Sequence, residues 1–155
     1  MQLIRTIRTI LAILSSVLLT SCVVFPLDEK DPDPGLYWCP PLHNCVSTEA
    51  VTFVHHIAPF TLAMPLEEAW PLIREAVEAL PGTHIYSEHQ GYIYAHSYTR
   101  IFHFLDFFEV LAVPEKNQLN VRSSSLIALT DLFMNYSRTQ KFRHLLEEKG
   151  VIVAQ

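Results

Sequence analysis

Asp106 lies in the run Ile101-Phe102-His103-Phe104-Leu105-Asp106-Phe107-Phe108, where almost every neighbour favours burial. An ionised carboxylate in that company is costly unless a cation pairs with it and hydrogen bonds satisfy its oxygens. Three cations stand close enough in the chain to serve. Arg100 precedes the run, Arg122 opens the tract Ser123-Ser124-Ser125, and Arg138 follows Asp131 and Asn135. Steps of four and three residues put Asp131, Asn135 and Arg138 on one helical face. The simplest chemistry is an ion-pair network across a sheet, in which Asp106 or Glu109 meets Arg100, Arg122 or Arg138. Asp131 is expected to cap or orient the last helix. The competing use of the same residues, with Ser123, is a polar ligand pocket.

Catalysis by this set lacks parts. Ser123, Ser124 or Ser125 would supply a nucleophile and His96 or His103 a base, but no Gly-x-Ser-x-Gly elbow precedes a helix. No glycine-rich phosphate cradle is present either. His89, His96 and His103 recur at seven-residue steps, which alternate faces along a strand and so do not converge on one metal. No catalytic residue, metal or cofactor is therefore assigned. A hydrolase would need Ser123 or Ser125 within hydrogen-bond reach of a histidine held by a carboxylate. A binder of a small or lipidic ligand would need a groove lined by Phe102, Phe104, Phe108 and Arg122.

The three cysteines divide by position. Cys22 closes the stretch Leu19-Thr20-Ser21-Cys22, behind an apolar run over residues 10–19 and a short basic region with Arg5 and Arg8. That is the layout of a secretory signal peptide, and its ending resembles the bacterial lipobox. The resemblance implies a diacylglycerol on the Cys22 thiol, removal of residues 1–21 and acylation, with palmitate for example, of the new amino terminus. An uncleaved anchor is the competing reading. Ten helical residues span about 15 Å, half of a bilayer core of about 30 Å. Val23 follows the cysteine where Asp would resemble an inner-membrane retention signal, so the periplasmic face of the outer membrane is the expected location. Cys39 and Cys45 remain as an even pair, which reads first as a disulfide in an oxidising compartment. His43 and the pair His55-His56 also admit a metal site, although one residue between His43 and Cys45 does not match common zinc spacings.

Cutting 21 residues from 155 leaves 134, a normal size for one domain with its own core. Two of the eleven basic residues and none of the sixteen acidic ones lie in the part removed, so the remaining chain carries a formal −7. That balance, without a basic tract, argues against nucleic-acid binding. It equally argues against electrostatic docking on anionic lipid headgroups, leaving attachment to the acyl chains. Partners beyond the membrane reduce to an envelope protein or a lipidic ligand.

Residues 22–38 hold Pro26, Pro32 and Pro34 among Asp28, Glu29, Asp31 and Asp33, the composition of an extended tether. The globular domain is expected over residues 39–155. Residues 51–62 are rich in β-branched and aromatic side chains and read as a strand interrupted near Pro59. Over residues 66–80 the period changes: Leu66, Ala69, Trp70, Ile73, Val77 and Leu80 share one face of an amphipathic helix. Pro65 suits its first position, Pro71 should bend it and Pro81-Gly82 should stop it. Residues 83–88, 92–100, 106–113 and 118–125 alternate as strands, with turns at Gln90-Gly91 and Glu115-Lys116-Asn117. The aromatic run at 101–108 reads as a central strand with both faces covered. Residues 131–149 return to helix, with Leu132, Thr139, Phe142, Leu145 and Leu146 as the expected buried face and Gly150 as its end. The class is α+β, a mainly antiparallel sheet of about five strands with two helices packed on one face.

Several blocks are shared with a known family. Cys39-Pro40, Asn44-Cys45-Val46-Ser47, Ile57-Ala58-Pro59, the Trp70 helix and Tyr92-Ile93-Tyr94-Ala95 begin the match. Arg100-Ile101-Phe102, Phe104-Leu105-Asp106, Glu109, Val121-Arg122-Ser123, Ser125, Asp131-Leu132, Asn135 and Arg138 continue it. On these residues the chain resembles the bacterial family called domain of unknown function 1499, over residues 39 to about 146. The resemblance implies no assigned activity. It also implies an Asp where this chain has Phe107, an Arg at Leu126 and glycines at Ala128 and Phe133. The expected function is that of an envelope lipoprotein acting through binding or structure.

Overall fold

The computed structural model describes residues 36–89, 91–126 and 131–154. Cys22, the signal sequence and the tether up to residue 35 lie outside the described residues. Six strands and two helices follow one another: β1 (Cys45–Ser47), β2 (Phe60–Thr61), α1 (Leu66–Glu78), β3 (Thr83–His89), β4 (Tyr92–Tyr98), β5 (Leu105–Val113), β6 (Gln118–Ser125) and α2 (Met134–Glu148). The fold is α+β. All strands join one antiparallel sheet in the order β1-β6-β5-β4-β3, with β2 pairing the other end of β6.

Both helices pack on one face. Ala69, Ile73, Ala76 and Val77 of α1 and Phe142 and Leu146 of α2 meet Ile93, Ala95, Phe108, Val110, Leu119 and Val121 from the sheet, all of them fully buried. Phe142 sits between Phe60 and Phe108, at ring distances of 5.8 and 5.2 Å. Arg143 lies 3.8 Å over the Phe60 ring and donates to the Ala58 carbonyl, which explains how a cation belongs to a helix face that packs. Burial lowers the pKa of its guanidinium. The residue after β6 returns to the sheet as well, since the Leu126 amide donates to the Leu105 carbonyl.

Turn chemistry fixes the hairpins. Gly91 at φ 76° closes β3 to β4, and Asn117 at φ 49°, after the 3-10 turn Pro114–Lys116, closes β5 to β6. At Gly82 the backbone is left-handed and an added Cβ would lie 2.6 Å from the Tyr98 carbonyl oxygen, so only glycine fits the entry to β3. Pro65 stands just before the first turn of α1 rather than in it, and the helix runs on through an exposed Pro71.

Three stretches differ from the sequence expectation. Residues 52–55 bend and turn, His56 makes an isolated bridge to Ser47, and strand appears only at Phe60–Thr61. The Thr52 carbonyl accepts both the His55 and His56 amides, and Val51, Phe53 and Val54 point to solvent. The first half of the aromatic run is likewise a turn. Thr99 binds the His103 amide with its carbonyl and the Phe104 amide with its hydroxyl, leaving Ile101, Phe102 and Phe104 exposed. The buried face of α2 carries Asn135, Thr139, Phe142, Arg143 and Leu146, whereas Leu132 precedes the helix and is exposed.

Candidate functional site

The pleat of β5 separates the two candidate carboxylates. Asp106 shares the helix-side face with Phe108 and Val110, while Glu109 shares the opposite, helix-free face with Phe107. Each has its own arginine. Asp106 Oδ2 accepts from Arg138 Nη2 at 2.6 Å, and Glu109 is bonded to Arg122, its direct cross-strand neighbour on β6. Arg100 joins neither pair and lies exposed in the turn after β4.

On the helix side, α2 is sewn to β5, to β6 and to the residue before β1. Arg138 Nη1 donates to Ser123 Oγ at 2.9 Å and Asn135 Oδ1 at 2.8 Å, and the Ser123 hydroxyl donates to the same Asn135 oxygen at 2.7 Å. The Asn135 amide group donates to the Asn44 carbonyl and to Ser125 Oγ. Asp131 accepts the backbone amides of Phe133 and Asn135 at 3.0 and 2.8 Å, satisfying donors that the first turn of α2 leaves free. The bonds of Asn135 and Arg138 hold the helix against the sheet, while the buried Asp106 Oδ1 and Asn44 Oδ1 have no partner among the described residues.

The open face is built differently. Tyr92, Tyr94 and His96 alternate along β4 toward it. Tyr86 stacks on His96 at 4.5 Å, and Tyr94 stacks on Phe107 at 5.7 Å, making a row of rings across β3, β4 and β5. Beside the row, Glu109 Oε1 accepts from the Tyr92 hydroxyl at 2.9 Å and the Tyr37 amide at 3.5 Å. Arg122 Nη2 donates to the Trp38 carbonyl at 3.5 Å, and its guanidinium stands 5.9 Å over the Tyr37 ring. Residues 36–39 thus form a short strap over the ion pair, fastened by the Cys39–Cys45 disulfide. Burial, followed by the nearby Glu109 charge, pushes the Tyr92 and Tyr94 phenols well above their ordinary pKa, so both remain protonated donors. Burial lowers the His96 pKa and so favours the neutral ring.

The disulfide removes both thiols from the metal reading. His55 Nδ1 bonds the Cys45 carbonyl at 2.8 Å and His56 Nδ1 the Ala50 carbonyl at 3.0 Å. Among the described residues no group of three or more His, Cys, Asp or Glu side chains is placed to hold a metal ion. The serine–histidine pairing fails on geometry. Ser123 and Ser125 face α2 and bond Asn135, whereas His96 lies on the opposite face and His103 in the exposed turn. The expected aromatic and arginine groove is not formed either, because Phe108 is core, Arg122 is on the open face, and Phe102 and Phe104 are in the turn. Tyr37, Trp38, Asn44, Tyr92 and Tyr94 were not among the sequence candidates. The signal for two of them was present, as aromatic rings at every second position from Tyr92 to Tyr98.

Where the resemblance implies an Asp, Phe107 stacks in the ring row, and where it implies a glycine, Phe133 adopts φ 65°. Ala128 lies outside the described residues. The family model described as "Protein of unknown function (DUF1499)" matches residues 36–146, and the chain belongs to that family. No curated protein and no solved structure matches the chain. Among the described residues no helix is long and apolar enough to cross a membrane.

Proposed function

We propose that this member of the family is a lipoprotein of the bacterial envelope, held by acyl chains on Cys22 at the periplasmic face of the outer membrane. Its folded domain acts by binding or as a structural element, not by catalysis. The anchor rests on the sequence: a basic region, an apolar run too short to span a bilayer, and a lipobox-like ending at Cys22. The binding role rests on one observation, the sheet face opposite the helices, where Tyr86, Tyr94, His96 and Phe107 form a continuous row of rings beside a strapped ion pair. Such a row offers stacking and apolar area without a nucleophile.

Two measurements test the two halves. Metabolic labelling with a palmitate analogue should mark wild type and not Cys22→Ser; equal labelling of both removes the anchor. Native mass spectrometry of protein extracted in mild detergent should find a retained small molecule that Tyr94→Ala and His96→Ala lose. A bare protein mass in wild type and variants alike leaves the structural role in place of the ligand-binding one.

A further inference from the structure

We infer that the loops at one end of the sheet form a crest that docks on the phospholipid bilayer holding the chain's own anchor. β4 ends, β5 begins and β6 ends at that edge, and the first turn of α2 is tied there through the bonds from Asn135 to Asn44 and from Arg138 to Asp106. The edge presents six large apolar side chains: Ile101, Phe102 and Phe104 from the loop after β4, Leu132 and Phe133 from the residues before α2, and Met134 from its first position. Their exposures run from 44 to 80%. Scattered apolar residues on a surface need no explanation, but a concentration of this size at one end of a domain marks an interaction site.

The backbone points the same way. Leu132 and Phe133 adopt φ 51° and 65°, and His103 adopts 52°, conformations that bulky side chains avoid. The surrounding bonds enforce them. Asp131 takes the Phe133 and Asn135 amides with its carboxylate, and Thr99 takes the His103 and Phe104 amides. Strain that the fold maintains in order to hold apolar groups in water is characteristic of functional surfaces.

Charge and reach select a bilayer as the occupant. The chain is acidic overall, at a formal −5, yet residues 99–104 contain Arg100 and His103 and no acid. Residues 131–136 contain one acid, Asp131, whose two oxygens are engaged by backbone amides. With Arg100 against Asp131 the apolar tip brings no net negative charge to a bilayer, so its side chains enter the acyl boundary without the repulsion that the rest of the acidic chain would meet. The Tyr37 amide lies beside Glu109, four residues and about 13 Å along β5 from the crest edge. Fourteen residues from Cys22 to residue 35 extend to about 46 Å. The anchor and crest therefore reach one membrane together.

This inference rests on the lipoprotein reading, and the experiment separates the two. Phe102→Cys and Phe133→Cys, with Phe53→Cys as a still more exposed apolar position outside the crest, carry a nitroxide on the full lipidated protein. Vesicles of phosphatidylethanolamine and phosphatidylglycerol receive it. Collisions with oxygen should exceed those with a water-soluble nickel complex several-fold at 102 and 133, with the opposite order at 53. Labels at 102 and 133 that collide as the one at 53 does, in protein shown to carry palmitate, overturn the crest and leave the anchor standing. Absence of palmitate removes both. A photo-crosslinking amino acid at 133 in living cells gives a second readout: adducts with phospholipid support the bilayer, and adducts with a protein replace it.

Discussion

Asp106 and Glu109 lie three residues apart on β5 and are equally buried with their arginines, at side-chain exposures of 1 and 8% for one pair and 0 and 9% for the other. Their surroundings differ. The Asp106–Arg138 pair is enclosed by β5, β6, the residue before β1 and α2, with one carboxylate oxygen carrying all of Asp106's bonding to protein. Glu109 has three donors, Arg122, the Tyr92 hydroxyl and the Tyr37 amide, and its roof is four residues of irregular chain. Equal burial thus conceals unequal support. One charge depends on a single cation inside a closed interface, and the other is held by several donors under a cover of irregular chain.

The largest expected effect follows from that dependence. Arg138→Ala leaves Asp106 ionised without a cation, and loss of one partner from a buried pair typically costs about 3–5 kcal/mol. Against a domain stability of roughly 5–15 kcal/mol the melting temperature should fall sharply, as it should for Asp106→Ala. Arg122→Ala also removes a buried cation but leaves Glu109 the Tyr92 hydroxyl and the Tyr37 amide, so the expected cost lies at the lower end of the buried-pair range, about 3 kcal/mol. Thermal melts of the matched variants decide. Arg122→Ala melting at or below Arg138→Ala would show that the strap closes the open face as firmly as α2 closes the other.

Much of this scaffold was legible because alternation and turn chemistry coincide from Thr83 to Ser125. Gly91 and Asn117 stand where a left-handed residue is needed, so four strands and their two hairpins follow, whereas the register shift between Ile85 and Ser87 does not. The pairing of charges was legible only as a set of choices. Period-two alternation puts Asp106 and Glu109 on opposite faces, but which arginine meets which depends on the docking of α2, a contact of long range in sequence. Composition misled at residues 51–54 and 101–104, where β-branched and aromatic side chains suggested strands. Hydrogen bonds to Thr52 and Thr99 turn the backbone instead, and the apolar groups stay in water. The strap was hidden for the opposite reason: Tyr37 and Trp38 were grouped with the acidic tether, and no local pattern says that they fold back on the sheet.

Opening the strap sharpens the contrast further. Cys39→Ser with Cys45→Ser releases a short loop, worth about 2 kcal/mol in the chain-entropy model. The released segment should admit water to Glu109 and Arg122 and leave the α2 network intact. Hydrogen exchange should therefore rise at the Tyr37 and Cys45–Ser47 amides and stay unchanged at Asn135 and Arg138. Equal protection loss on both sides would mean that the strap supports the whole edge of the sheet. Peptide mass analysis without reductant should find Cys39 and Cys45 cross-linked in wild type.

The smallest effect separates the faces by pH. His96 is stacked under Tyr86 on the open face, and burial holds its pKa below the ordinary 6.5. A base whose folded pKa is depressed contributes its full stability above the unfolded value, where neither state is charged. As pH falls through 6.5 the unfolded chain takes the proton first, and the contribution is lost down to the folded pKa. His96→Phe keeps the ring row and removes the titration, so its melting temperature should decline less than that of wild type between neutral pH and pH 5. The helix-side network contains no histidine, so Arg138→Ala should keep the wild-type slope while lowering the whole curve. Parallel curves for His96→Phe and wild type would mean that the ring under Tyr86 is as accessible to protons folded as unfolded. The row would then be an open surface rather than a partly closed one.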